Sequence, residues 1–118
     1  MKLDQLRKFC LALPHATEDV KWGDDLCFCV GEKMFCVTGL DSPESGISLK
    51  CTPEIFADLV ELEGIEPARY MARYHWVTVS PGSALDAKRL KELIRQSHAM
   101  VFDKLPLKVR RSLEQAAA

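Results

Sequence analysis

The chain has 118 residues, 47% hydrophobic and 28% charged, with a formal net charge of −1 and a pI near 6.3. That size and apolar content suffice for one hydrophobic core, so a single domain spanning 1–118 is expected. The near-neutral balance counts against a protein that coats nucleic acid non-specifically while leaving room for a local basic patch, and no apolar run approaches the ~20 residues that cross a bilayer.

The start, Met1 to Lys8, carries charge at helical intervals and has no apolar centre of the kind a signal peptide needs. The expected address is therefore the cytoplasm, and the expected state a monomer without membrane attachment. Leu3, Leu6, Phe9, Cys10 and Leu13 recur every three to four residues and predict a first helix ended by Pro14. Glu18 to Trp22 reads as a short edge strand. Leu26 to Val30 and Lys33 to Thr38 flank Gly31-Glu32, a spacing that predicts a tight hairpin, of type II′ because glycine comes first. A regular register would pair Val30 with Lys33, Phe28 with Phe35 and Leu26 with Val37 on one face. Cys29 with Met34, and Cys27 with Cys36, would share the other. Both faces are mainly apolar, which predicts a hairpin placed centrally and at least partly covered on each side.

Gly39 to Gly46 is a loop by its turn chemistry. Ile47, Leu49 and Cys51 alternate with Ser48 and Lys50, giving a strand with one polar face. Thr52-Pro53 opens a second helix, with Thr as N-cap and Pro at the first helical position; Ile55, Phe56, Leu59 and Val60 form its apolar stripe and Gly64 closes it. Pro67 to Tyr70 reads as a turn or a short helical piece, and His75 to Val79 as the last strand, broken by Pro81-Gly82. A third helix from about Asp86 to Phe102 places Leu90, Leu93, Ile94, Ser97, Val101 and Leu105 on one face. Ser97 is the small residue of that stripe, suited to close approach. Leu107 to Glu114 forms a terminal helix, in a basic stretch with Lys104, Lys108, Arg110 and Arg111.

The five cysteines show no Cys-x-x-Cys spacing, and four of them lie in apolar strand-like runs. They read as reduced, structural thiols. His15, His75 and His98 fall in no catalytic motif, and nucleophile elbow, zinc-protease and P-loop signatures are absent. The expectation is a non-enzymatic protein with no cofactor. For metals, Cys27, Cys29 and Cys36 could converge on one hairpin face, but no fourth ligand is suggested, and a soft apolar face is the plainer reading. Glu18, Asp19, Asp24 and Asp25 form an acidic group that reads more simply as a solvated surface. The functional candidates are basic and aromatic: Lys50 on its strand's polar face, Arg69, Arg73, His75 and Trp76 close together, and Trp22 after Lys21. Arg and Lys reach phosphates, and aromatic faces stack on exposed bases. Either tryptophan could equally be core.

Several stretches, in this order, resemble the MmcQ/YjbR family of small bacterial proteins: Leu13 to Glu18, Trp22-Gly23, Val30 to Phe35, Leu49 to Glu54, Pro67 to Tyr70, His75 to Val79, and Ser97 to Leu105. The resemblance implies an α+β domain of CyaY-like (frataxin-like) arrangement, an antiparallel sheet with helices on one face. It also implies DNA binding through a paired-wing surface, with Lys33, Lys50, Arg69, His75 and Trp76 at the matching positions. The sequence departs from the family pattern in the loop Leu40 to Ser45, which carries Asp41 and Glu44 without Lys or Arg. It departs again at His98, where an aromatic such as tyrosine is expected. Two functions stay open: weak, salt-dependent DNA binding by the basic-aromatic patch, or a binding module for a protein partner, ligand or metal.

Overall fold

Turn chemistry and alternation shape the sheet before any helix covers it. The computed structural model describes residues 1–40 and 46–116, so the acidic Asp41 and Glu44 of the expected wing loop lie outside the described residues. The elements run α1 (Leu3–Leu11), β1 (Thr17–Lys21), β2 (Asp25–Val30), β3 (Lys33–Gly39), β4 (Ile47–Lys50) and α2 (Pro53–Leu59). After these come β5 (Ile65–Pro67), a 3-10 turn (Ala72–Tyr74), β6 (Trp76–Val79), α3 (Ala87–Asp103) and α4 (Leu107–Ala116). The six strands form one antiparallel sheet in the order β1-β2-β3-β4-β6-β5. The result is a single α+β domain. Among the described residues no helix is long and apolar enough to cross a membrane.

Period-two alternation puts Leu26, Phe28, Val30, Cys36, Leu49, Val77 and Val79 in the buried core with the helices. Leu6 and Cys10 of α1 join them, as do Leu59 of α2 and Leu90, Leu93, Ile94 and Val101 of α3. Asp86 caps α3 as anticipated, its carboxylate accepting from the Arg89 amide at 2.8 Å. Thr52 does the same for α2, accepting from the Ile55 amide at 3.2 Å.

The hairpin corrects the sequence reading in two ways. Gly31 and Glu32 both have positive φ, 56° and 66°, so the turn is type I′ and not type II′. The register also shifts: Val30 pairs with Lys33 and Cys29 with Met34, but Phe28 then faces Cys36 and Cys27 faces Val37. Phe35 is thus the extra residue of a β-bulge, and Phe35 and Cys36 both enter the helix-side core. Cys27 and Cys36 consequently sit on opposite faces, and the three-thiol site has no geometry to support it. Cys36 instead lies on the side of Cys10, and interaction with that thiol, then full burial, pushes its own thiol pKa well up.

Smaller differences follow from local chemistry. Helix α1 stops at Leu11, short of Pro14, whose carbonyl accepts a hydrogen bond from His98 Nε2 at 2.8 Å. The ring of His98, buried edge-on against Phe35, is an internal tie and not a surface stacking platform. Strand β5 was not expected; it is three residues long and lies at the sheet edge, the one place where Pro67 leaves no ladder bond unmade. His75 is not part of β6: at φ 65° it caps the 3-10 turn, and the strand begins at Trp76.

Candidate functional site

The bulge has a consequence for the neighbouring strand. Strands β3 and β4 pair from Thr38–Ile47 to Cys36–Leu49, and the next ladder bond, between Lys50 and Phe35, is not made directly. The Ser97 hydroxyl of α3 stands between them, accepting from the Lys50 amide at 3.0 Å and donating to the Phe35 carbonyl at 2.7 Å. With a hydroxyl inserted, the start of β3 and the end of β4 are held apart. A cleft of about 470 Å³ lies at that end of the sheet.

Three lysines border the cleft: Lys33 from β3, Lys50 from β4 and Lys104 from the end of α3. Met34, Met71, Trp76, Leu105 and Pro106 make its apolar surface and Tyr74 one wall, with no Asp or Glu among the lining residues. The Lys50 ammonium donates to the Tyr74 carbonyl at 3.2 Å. Its pKa is lowered, first by partial burial and then by the positive charge of Lys104. The arrangement can hold an anion whose non-ionic part is apolar.

The sequence-derived candidates divide around this cleft. Lys33, Lys50 and Trp76 are brought together, although Trp76 is only 4% exposed and serves as floor, not as a stacking face. Arg73 is exposed beside it, its guanidinium 4.8 Å from the Tyr74 ring centre. Arg69 borders a second groove. His75 takes no part: its ring packs edge-on against Phe56 of α2 with centres 5.5 Å apart. Lys104 was missed, because the sequence grouped it with the terminal helix and the fold delivers it from the last turn of α3. The acidic group does not converge either, since Glu18 is tied to Arg7 at 2.7 Å. Among the described residues no three His, Cys, Asp or Glu side chains are placed to hold a metal ion.

The second groove, about 560 Å³, lies on the sheet face away from the helices. Val37, Ser48 and Thr78 form its floor, and Trp22, Asp25, Arg69 and Tyr70 its rim. Met34 and Met71 line both spaces, so cleft and groove adjoin at these two side chains.

A family model described as YjbR matches residues 11–100, most of the chain, taking in Lys33 and Lys50 of the cleft but not Lys104. The chain belongs to the YjbR family. The Escherichia coli K12 protein printed as "Uncharacterized protein YjbR" is 26% identical over 119 residues, covering 98% of this chain and 99% of the relative. Its counterpart in Escherichia coli O157:H7 matches equally. Among solved structures, Deinococcus radiodurans protein DR2400, described by a DUF419 domain, superposes with a TM-score of 0.85. It is 31% identical, over 96% of this chain and 88% of that one. A Pseudomonas syringae protein gives a TM-score of 0.70 at 25% identity, over 86% of this chain and 99% of its own. The YjbR domain here thus has close structural relatives, and its relatives' names assign no activity.

Proposed function

We propose that this YjbR-family chain is a non-enzymatic, cytoplasmic, monomeric protein that binds DNA, gripping phosphate groups in the cleft of Lys33, Lys50 and Lys104. The observation that carries the reading is the grouping of three cations around an apolar floor, with no acidic side chain lining it among the described residues, on a chain whose net charge is −1. A cluster of unpaired ammonium groups is electrostatically unfavourable by itself and becomes favourable when a polyanion releases its counterions to it. Exposed Arg73 lies next in line to extend the contact. Five cysteines, all buried and unpaired, fit the reducing compartment the proposal assumes.

The test is fluorescence anisotropy of labelled oligonucleotides at several salt concentrations. Three phosphate contacts give a slope of log affinity on log salt of about −2 to −3, so binding fades toward physiological ionic strength. Lys33→Glu with Lys104→Glu should abolish binding and leave the melting temperature nearly unchanged, since exposed charges add little to stability. Salt-independent binding, or a double variant that binds like wild type, would overturn the assignment.

A further inference from the structure

The lysine cleft accounts for phosphates but leaves the adjoining groove unexplained, and that groove has an unusual rim. Trp22 and Tyr70 are 68% and 87% exposed, so neither is held in place by burial. Both have positive φ, 52° and 68°, a backbone conformation that is unfavourable for bulky side chains. Strained backbone that keeps two large aromatics in water gains no packing in return, and such residues concentrate at ligand sites. Arg69 lies 5.3 Å from the centre of the Tyr70 ring, a guanidinium already stacked on one aromatic.

Charge divides the two spaces. Among the described residues the groove's rim has one carboxylate, Asp25, and one guanidinium, Arg69, whereas the cleft has three lysines and no carboxylate. A phosphate therefore belongs in the cleft, and a flat, largely apolar and uncharged group in the groove. The floor offers matched chemistry: Ser48 and Thr78 hydroxyls lie 2.8 Å apart, and a hydroxyl pair consumes one hydrogen, leaving the other to donate. Asp25 can accept from an exocyclic amine.

We infer that the groove between Trp22 and Tyr70 seats an unpaired nucleobase whose flanking phosphates run into the Lys33–Lys50–Lys104 cleft. This deepens the DNA reading and rests on it for the phosphate contacts. The ligand is then a single strand or a free nucleotide, because a base inside a duplex is stacked on its neighbours and cannot enter.

The experiment uses the full chain with three probes: a labelled eight-nucleotide deoxyadenosine strand, the same strand as a duplex, and deoxyadenosine monophosphate. Affinity is read by anisotropy, or by competition for the mononucleotide. Groove occupancy is read from Trp22 emission, isolated by subtracting the Trp22→Phe signal. The single strand should bind at least about tenfold tighter than the duplex and quench Trp22. Trp22→Ala with Tyr70→Ala should lose about tenfold or more of single-strand affinity without changing duplex binding. Trp22→Phe with Tyr70→Phe should retain it, which separates stacking from misfolding. Mononucleotide binding as tight as the strand's would identify a free nucleotide as the ligand. Equal single-strand and duplex affinity, an unaffected alanine variant, or unquenched Trp22 would each overturn the inference while salt-dependent binding upheld the lysine cleft. If no probe shows salt-dependent binding, the cleft reading fails, and quenching of Trp22 by the mononucleotide then decides the groove alone.

Discussion

Replacing Ser97 by alanine sets two physical accounts against each other. If Ser97 were only a small residue admitting α3 to the sheet, alanine would be harmless. The structure instead has its hydroxyl accepting from the Lys50 amide and donating to the Phe35 carbonyl, at 3.0 and 2.7 Å, with the serine fully buried. Alanine leaves that carbonyl without a partner, at a cost of about 1–3 kcal/mol. The Lys50 amide sits beside the open cleft, where water can reach it, so its loss belongs at the low end of the same range. The sum is about 3 kcal/mol. With an unfolding entropy of about 2.1 cal/mol/K per residue, that lowers Tm by roughly 12 °C. Urea denaturation should show a lower midpoint at unchanged m, since the surface exposed on unfolding is the same. The hydroxyl also sets the separation of β3 and β4, so Ser97→Ala should weaken oligonucleotide binding although no ligand touches the residue. A Tm shift below about 2 °C would refute the bridge and restore the simple size argument. Ser97→Leu should destabilise by about 1–3 kcal/mol on either account and so serves as the overpacking control.

Two further predictions concern titration. The Lys50 pKa is lowered by burial and by Lys104, so the folded state holds this proton less tightly than the unfolded chain. Its contribution to stability therefore rises with pH from the depressed pKa toward the ordinary lysine value, while affinity for an anion falls over that window. Lys104→Met should move the Lys50 pKa back up, measurable by NMR of the lysine ammonium resonances; an unchanged Lys50 titration would disprove the coupling. Burial pushes the Cys27 and Cys51 thiols to about 11, from 9.0. Their contribution to stability is complete below about pH 9 and lost as pH climbs through 11, because the unfolded thiols ionise first. Ellman's reagent should accordingly find almost no thiols in the native protein at neutral pH and all five in denaturant. Rapid native reaction of even one would contradict the buried placement.

Most elements, β5 excepted, were legible because each rests on local chemistry. Apolar spacing located α3, and all six residues of its predicted stripe are buried. Thr52-Pro53 marked the start of α2, and Gly31-Glu32 marked the hairpin. The ordered motifs pointed to the YjbR family, whose model matches the chain. The hairpin register was beyond sequence reasoning, since a single bulge at Phe35 changes every later pair, and a run apolar on both faces gives alternation nothing to enforce. Its cause is tertiary: Phe35 turns into the core against His98, and a serine from a helix some sixty residues later takes up the freed carbonyl. The candidate site follows the same division. Lys33 and Lys50 were visible as cations on strand ends, but their convergence with Lys104 needs α3 to end beside the opened β3–β4 junction. Residue types and their period determine which face each side chain takes along one element. Which elements meet, and hence which charges share a cleft, is set by long-range packing that no local window contains.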